Sequence, residues 1–323
     1  MSSPIRLFII VNPNAARVRR VWPQVREALR REAIGFEAYE TRSRGDAQAT
    51  ARRALRDGWK LIAVVGGDGT IGEVAAGFFE PLESCDERLR LVNAEARLAL
   101  LPAGTGDDFA RGLIGYRAPI ETWLARLLAI CRRGASGGVR LVDMVRVQCA
   151  GAAGFVYLNA ATIGFGAEVA ARVAAQDGLF RFLPGEARFT LAALSALKGW
   201  REQPVRIRVD DDLFESRSNL IAITSGPYAG GGIMLAPTAR ADDGLLDVVV
   251  AAGVTKMTVL RELPRARDGK HLRNPRVRLL RGKTVYIEPL ASEAPLQLEA
   301  DGEVRGAIPA RFQIVPQALR LAF

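Results

Sequence analysis

Residues 61–73, LIAVVGGDGTIGE, leave few folds open to this chain. Leu61-Ile62-Ala63-Val64-Val65 is an unbroken apolar run, the pattern of a strand buried on both faces. Gly66, Gly67 and Gly69 then surround a single carboxylate, Asp68, before Thr70 and a helical pattern over 71–79. A strand that runs through glycines into a helix is built to hold phosphate. Glycine lets the main chain approach the anion, and the helix start offers unpaired N–H groups and the positive end of its dipole. Asp68 is the discordant residue, because a carboxylate repels phosphate unless a metal or water network intervenes.

The flanking sequence repeats the alternation. Residues 5–11 read as a buried strand ending in the turn formers Asn12-Pro13-Asn14, 18–32 as a helix with an arginine-rich outer face, 36–41 as a strand, and 46–58 as a helix closed by glycine. A short strand at 98–101 enters a second glycine-rich loop, PAGTGDDFAR at 102–111, and 120–133 is an amphipathic helix. This order predicts a parallel sheet covered on both faces, with loops at Asn12, Thr41, Gly66 and Gly104 along its carboxyl edge. Residues 134–138 read as a linker. Beyond it come short strands at 140–148, 154–162, 205–209, 220–224, 246–251, 277–280, 284–288, 296–300 and 311–315. They predict an antiparallel sandwich interrupted by a helix at 186–197. The expected organisation is an α/β domain followed by a β-rich domain, with the functional cleft between them.

Composition narrows the chemistry. With 323 residues and 49% hydrophobic content, two domains are expected at about 100–200 residues each. A formal charge of +10 suits nucleic acid, an anionic membrane surface or a phosphorylated ligand, but no nucleic-acid recognition motif accompanies it. Cys85, Cys131 and Cys149 are scattered and His271 stands alone, which argues against a zinc site or disulfide framework. The N-terminus reads as a first strand rather than a signal peptide, and no apolar run reaches the ~18 residues of a spanning helix. A cytoplasmic protein, soluble or peripherally attached to the membrane, is expected. Gly282-Lys283-Thr284 resembles the end of a Walker loop, but Val277 stands where its first glycine belongs.

Taken together, the motifs resemble the diacylglycerol kinase catalytic-domain superfamily, which includes bacterial diacylglycerol and related lipid kinases and the sphingosine and ceramide kinases. The matching residues are VNPNA at 11–15, Thr41 ahead of Gly45-Asp46-Ala47, VVGGDGTIGEVAAG at 64–77 and LPAGTGDDFARGL at 101–113. They continue with NAATIGFGAEV at 159–169, GGGIMLAPTARADDGLLDVVV at 230–250 and Asp301-Gly302-Glu303. The resemblance spans almost the whole chain in the family's order. An NAD kinase would explain GGDGT alone but not the 101–111 and 241–248 segments, and a non-catalytic nucleotide-binding, membrane-docking module would not need both Asp68 and Glu303.

The resemblance implies an ATP-dependent lipid kinase with an NAD-kinase- or phosphofructokinase-like α/β domain over 1–139, rejoined by 309–323, and a β-rich substrate domain over 140–308. It places ATP on Asn12, Thr41, Gly66, Gly67, Asp68, Gly69, Thr70, Glu73 and Thr105. Glu303 becomes the general base, and Asp68 positions magnesium through water. A structural magnesium is implied at the Asp243 side chain and the carbonyls of Arg240 and Leu245. Where the family carries GTxND, this chain reads Gly104-Thr105-Gly106-Asp107-Asp108, so Asp107 adds a charge near the nucleotide. The implied acceptor is a neutral lipid: diacylglycerol, ceramide or a sphingoid base. The basic run at 261–283 is expected to meet an anionic membrane surface, although such runs are commonly just solvated. Phe180 and Phe182 are candidates for an acyl-chain pocket, with core packing the commoner role for such residues. A homodimer is compatible with the resemblance.

Overall fold

The computed structural model describes residues 6–82, 88–134, 138–176, 185–290 and 295–323. The Phe180 and Phe182 segment lies outside them. In the first half, β1 (Leu7–Val11), α1 (Val18–Arg31), β2 (Phe36–Glu40), α2 (Asp46–Arg56), β3 (Leu61–Gly66), α3 (Asp68–Gly77), β4 (Arg97–Pro102), α4 (Asp108–Ile114) and α5 (Ile120–Arg133) follow in order. The strands pair in parallel as β2-β1-β3-β4, with Val11 opposite Val65 and Val65 opposite Leu101. Every residue of β3 is buried, as its apolar run requires. Helix α1 turns Val18, Val21, Val25 and Leu29 inward at helical spacing and leaves its arginines outside. Helix α3 begins at Asp68, earlier than the glycines suggest, so Asp68, Gly69 and Thr70 form its first turn.

The second half contains β5 (Val139–Ala150), β6 (Phe155–Tyr157), β7 (Ala160–Gly164), α6 (Phe165–Ala174), α7 (Gly185–Ala196), β8 (Gln203–Val209), β9 (Asp212–Thr224), β10 (Tyr228–Ala229), β11 (Ile233–Met234), β12 (Leu246–Ala252), α8 (Lys256–Ala266), β13 (Val277–Gly282), β14 (Thr284–Pro289), β15 (Gln297–Ala300) and β16 (Glu303–Ala322). Its pairings are antiparallel, with β9 between β12 and β7 and β15 between β7 and β16. Its core gathers Val145, Val205, Ile221, Val248, Ile287 and Phe312. Three expectations change here. The single strand at 154–162 is two, because the N–H groups of Leu158 and Asn159 leave the ladder to bind the Asp301 carboxylate. Helices α6 and α8 were not anticipated. The basic run at 261–283, for which only a strand at 277–280 was expected, also holds the second half of α8 and a short 3-10 turn (Lys270–Arg273) ahead of β13.

The two sheets are not separate. Strand β16 runs antiparallel to β5 and then meets β4 in parallel at Leu321 and Leu98, which joins both halves into one 14-stranded hydrogen-bonded network. Pro309 and Pro316 break the apolar alternation of β16 in the sequence. In the structure each sits at a register shift against β5, where a proline without an N–H is tolerated. Phe312 and Ile314 still belong to the β-rich core, whereas Leu319, Leu321 and Ala322 pack with the α/β core. The return therefore begins near Pro316, later than residue 309.

Helices α2 and α3 cross closely at Gly77, where an added Cβ would lie 2.6 Å from the Gln48 carbonyl oxygen and 2.7 Å from the Ala51 Cβ. Gly77→Ala is expected to lower stability by about 1–3 kcal/mol through overpacking, read as a lower urea midpoint at unchanged slope.

Candidate active site

The loops after the parallel strands extend the ladder by single hydrogen bonds: Asn12 N–H to the Val65 carbonyl (3.0 Å), Thr41 N–H to Val11 (2.8 Å) and Ala103 N–H to Gly66 (2.7 Å). They open onto a cleft of about 500 Å³, within the range of ligand sites. Asn12, Thr41, Gly67, Gly69, Thr70, Glu73, Thr105 and Glu303 all line it, so most of the expected ATP-binding residues and the expected base share one space. Gly66 and Asp68 are not on its wall. Gly66 lies under Thr70, where a Cβ would sit 2.7 Å from the Thr70 Cβ. Asn12 Nδ2 donates to Thr70 Oγ1 (2.8 Å), tying the end of β1 to the first turn of α3. The two glycine loops touch, since a Cβ on Gly104 would come within 2.5 Å of the Gly67 Cα.

Asp68 turns beneath these loops. Its Oδ1 accepts the Phe109 N–H (3.1 Å), placing a carboxylate at the start of α4, where the helix dipole favours it. Beside it, Asp108 Oδ2 accepts the Gly231 N–H (2.7 Å), while Oδ1 is buried with no hydrogen-bond partner. Burial, followed by the Asp68 charge, pushes Asp108 up to about 7, and burial also raises Asp68. Two adjacent carboxylates with one orphaned oxygen form a donor set suited to a hard cation.

Asp107 corrects an expectation. It does not present its charge to the cleft. It is 3% exposed, at a left-handed φ of 53°, with Oδ1 accepting the Gly104 N–H (2.8 Å). Oδ2 meets both Arg17 and Arg117. The same guanidiniums bind the Gly104 carbonyl, at 2.9 Å from Arg17 Nε and 3.3 Å from Arg117 Nη2. The extra negative charge is matched on site and clamps the second glycine loop. Neither arginine was singled out in the sequence, although an acid at an amide position is a reason to look for cations.

The opposite wall comes from the β-rich half. Asp301 and Gly302 form the two-residue turn between β15 and β16, both with positive φ (47° and 89°). Asp301 accepts N–H groups from Leu158 (2.9 Å), Asn159 (3.1 Å) and Ala160 (3.3 Å), while burial pushes its carboxyl up to about 6. The turn lies on α3 at two glycines: a Cβ on Gly69 would be 3.3 Å from the Asp301 carbonyl oxygen, and one on Gly72 2.5 Å from its Oδ2. Below it the buried Glu299 accepts from Thr162 Oγ1 (2.5 Å) and the Gly302 N–H (2.6 Å). Glu303 then enters the cleft, paired with Arg44 (3.3 Å) and Arg305 (2.7 Å). Glu73 lines the cleft but serves α2. Burial raises its pKa, and the backbone groups of Gly45, Ala47 and Gln48 at the start of that helix hold it down.

The loop carrying Arg240, Asp243 and Leu245 is elsewhere, and its organiser is Asp143. That fully buried residue accepts from Gly244 N–H (2.7 Å) and Gln317 N–H (2.8 Å), and its own N–H donates to the Ala241 carbonyl (2.7 Å). Asp243 pairs with Arg281 and accepts the Leu245 N–H (3.1 Å). Among the described residues, no group of three or more His, Cys, Asp and Glu side chains is placed to hold a metal. The visible signal for Asp143 was a carboxylate in the middle of an apolar strand.

Residues 6–147 match the diacylglycerol kinase catalytic domain, and residues 161–323 match the YegS C-terminal NAD kinase beta sandwich-like domain. A probable lipid kinase YegS-like protein of Pseudomonas aeruginosa PAO1 is 32% identical over 277 residues, covering 86% of this chain and 81% of that protein. A diacylglycerol kinase of Staphylococcus carnosus is 26% identical over 320 residues, covering 98% and 94%. In fold, the chain resembles the crystal structure of a proposed diacylglycerol kinase from Bacillus anthracis Sterne, with TM-score 0.73, 23% identity and coverage of 100% and 97%. Cleft and matches define the class, an enzyme that transfers a phosphoryl group. Within it, the chain belongs to the diacylglycerol kinase catalytic-domain family of lipid kinases.

Burial pushes Glu299 up to about 7 from the ordinary 4.5. The folded state then holds a proton that the unfolded chain has released, so this contribution to stability is complete below pH ~4.5 and is lost as pH rises through about 7. Glu299→Gln keeps an acceptor for Gly302 and has no proton to lose. Its stability is expected to fall less than that of the wild type between pH 4.5 and 8, by on the order of 3 kcal/mol, measured by urea unfolding across the range.

Proposed function

We propose that this kinase transfers the γ-phosphoryl group of ATP to a hydroxyl of a neutral lipid, with Glu303 accepting the hydroxyl proton. One observation carries the reading. A carboxylate from the β-rich half faces, across a single cleft, the glycine-flanked N-terminus of α3 from the α/β half. In this reading the N–H groups of Gly69 and Thr70 hold phosphate oxygens, and Asn12 keeps the Thr70 side chain oriented. Thr41 and Thr105 offer further hydroxyls at the rim. As the acceptor oxygen bonds to the γ-phosphorus, the bond to the ADP oxygen breaks and the acceptor's proton passes to Glu303, late in the transfer. Arg305 keeps that carboxylate aimed. Magnesium, when bound, would neutralise the phosphate charge, and Asp68 and Asp108, beneath the loops and off the cleft wall, would position it through water.

The acceptor is one of diacylglycerol, ceramide or a sphingoid base, and a panel of these lipids with labelled ATP and magnesium tests the reading. Transfer to at least one lipid is expected. Transfer to NAD with no lipid present would replace the reading with an NAD kinase-like one. Glu303→Gln is expected to lower lipid-dependent ATP turnover by about 10²–10⁴-fold with the fold intact; an equal rate would remove Glu303 as base.

The same reading places the enzyme at a membrane surface. No helix among the described residues is long and apolar enough to cross a membrane. The net charge is +10, and Leu191, Leu194 and Met257 are exposed on the neighbouring helices α7 and α8. Much of the 261–283 run is already engaged: Arg265 with Glu262, Lys270 with Asp268, and Arg281 with Asp243 and Asp247. Binding to vesicles is expected to rise with anionic lipid and to fall with salt; indifference to both would remove the docking proposal.

A further inference from the structure

The cleft presents an electrostatic problem. A nucleoside triphosphate is a polyanion, yet Glu73, Asp301 and Glu303 line the space it would enter. Among the described residues lining the cleft, Arg44 is the only lysine or arginine. It lies in the loop between Thr41 and α2, ahead of Gly45 with its positive φ of 75°. Its neighbour Arg42 is turned over the Tyr39 ring instead. Arg44 is spent on Glu303, with Nε 3.3 Å from Oε1 and the side chain 65% exposed. Glu303 does not depend on it, because Arg305 Nη2 holds the other oxygen at 2.7 Å from a side chain half as exposed, at 32%.

We propose that Arg44 reads the terminal phosphate of the nucleotide: it rests on Glu303 in the empty cleft and moves to the γ-phosphoryl oxygens when ATP enters. This rests on the kinase reading above. If Glu303 takes the proton of the oxygen that attacks the γ-phosphorus, the γ-phosphoryl group lies next to it, so a guanidinium in contact with Glu303 is within reach of that group. An ion pair this exposed is weakly held. A phosphate offers the planar guanidinium two parallel charge-assisted bonds, where Glu303 gives it a single Nε–Oε1 ion-pair contact. After the exchange Arg305 alone retains Glu303, whose Oε1 is free to face the acceptor hydroxyl. The empty enzyme thus keeps its base occupied, and a nucleotide lacking the γ-phosphate does not release it. Arg44 is a specificity residue that distinguishes ATP from ADP and couples nucleotide binding to release of the base.

Calorimetric titration of the full chain with magnesium-ATP and with magnesium-ADP, without lipid, tests this. Arg44→Ala is expected to weaken ATP binding by at least about tenfold and to change ADP binding by less than about twofold, with Arg44→Lys in between. The KM for ATP should rise in parallel. Glu303→Gln is the discriminating variant. It frees Arg44, so ATP is expected to bind as tightly as to the wild type or more tightly, whereas a merely structural ion pair would make both variants lose affinity alike. Equal losses in Arg44→Ala and Glu303→Gln would overturn the proposal, as would an Arg44→Ala protein that binds ATP like the wild type. In that last case the kinase reading stands. A wild-type protein that binds neither nucleotide overturns both.

Discussion

The turn at Asp301 seated on α3 is the contact on which the rest of the site depends. Two glycines permit it, because any side chain at Gly72 would occupy the space of the Asp301 carboxylate. Three N–H groups, two from the break between β6 and β7 and one from the first residue of β7, then hold that carboxylate, so the turn is fixed to both halves at once. Glu303 follows two residues later and inherits its position. The two-residue hairpin and the proposed base are therefore one object, and the left-handed backbone that makes Asp-Gly a turn former is also what brings Glu303 to the cleft.

A second theme is how the fold manages negative charge. Asp68, Asp108, Asp301 and Glu299 are all raised by burial, which is the cost of packing carboxylates beneath the loops of the cleft. Backbone N–H groups and helix starts offset part of that cost at each of them. Asp107 is handled differently, with two guanidiniums and a main-chain N–H, and so stabilises the glycine loop rather than presenting its charge to the cleft. Cations face the cleft sparingly, which is why the placement of Arg44 carries weight.

The α/β half was legible because its strands are continuous apolar runs and its helices have one apolar face, patterns that local sequence writes directly. The glycine-rich loops at the strand ends were legible for the same reason, and both line the cleft. Less of the second half was readable. Leu158 and Asn159 look like strand residues until Asp301, distant in sequence, takes their N–H groups. Pro309 and Pro316 look like strand breaks, but β16 passes both through register shifts. Arg17 and Asp143 escaped notice because each acts on a partner far away along the chain, and Arg117 because no local pattern marks its contact with the nearby Gly104 and Asp107.

Sequence alone determined the parallel sheet, the two glycine loops, the carboxylate after the Asp-Gly turn and the family. All of these are local patterns of apolarity, turn chemistry and spacing. Tertiary structure alone decided that Asp68 caps α4, that Asp107 is neutralised, that one strand knits both halves together, and that Arg44 is in contact with Glu303. Those outcomes depend on distances between residues separated by tens to hundreds of positions, which chain closure and packing set and local pattern does not encode.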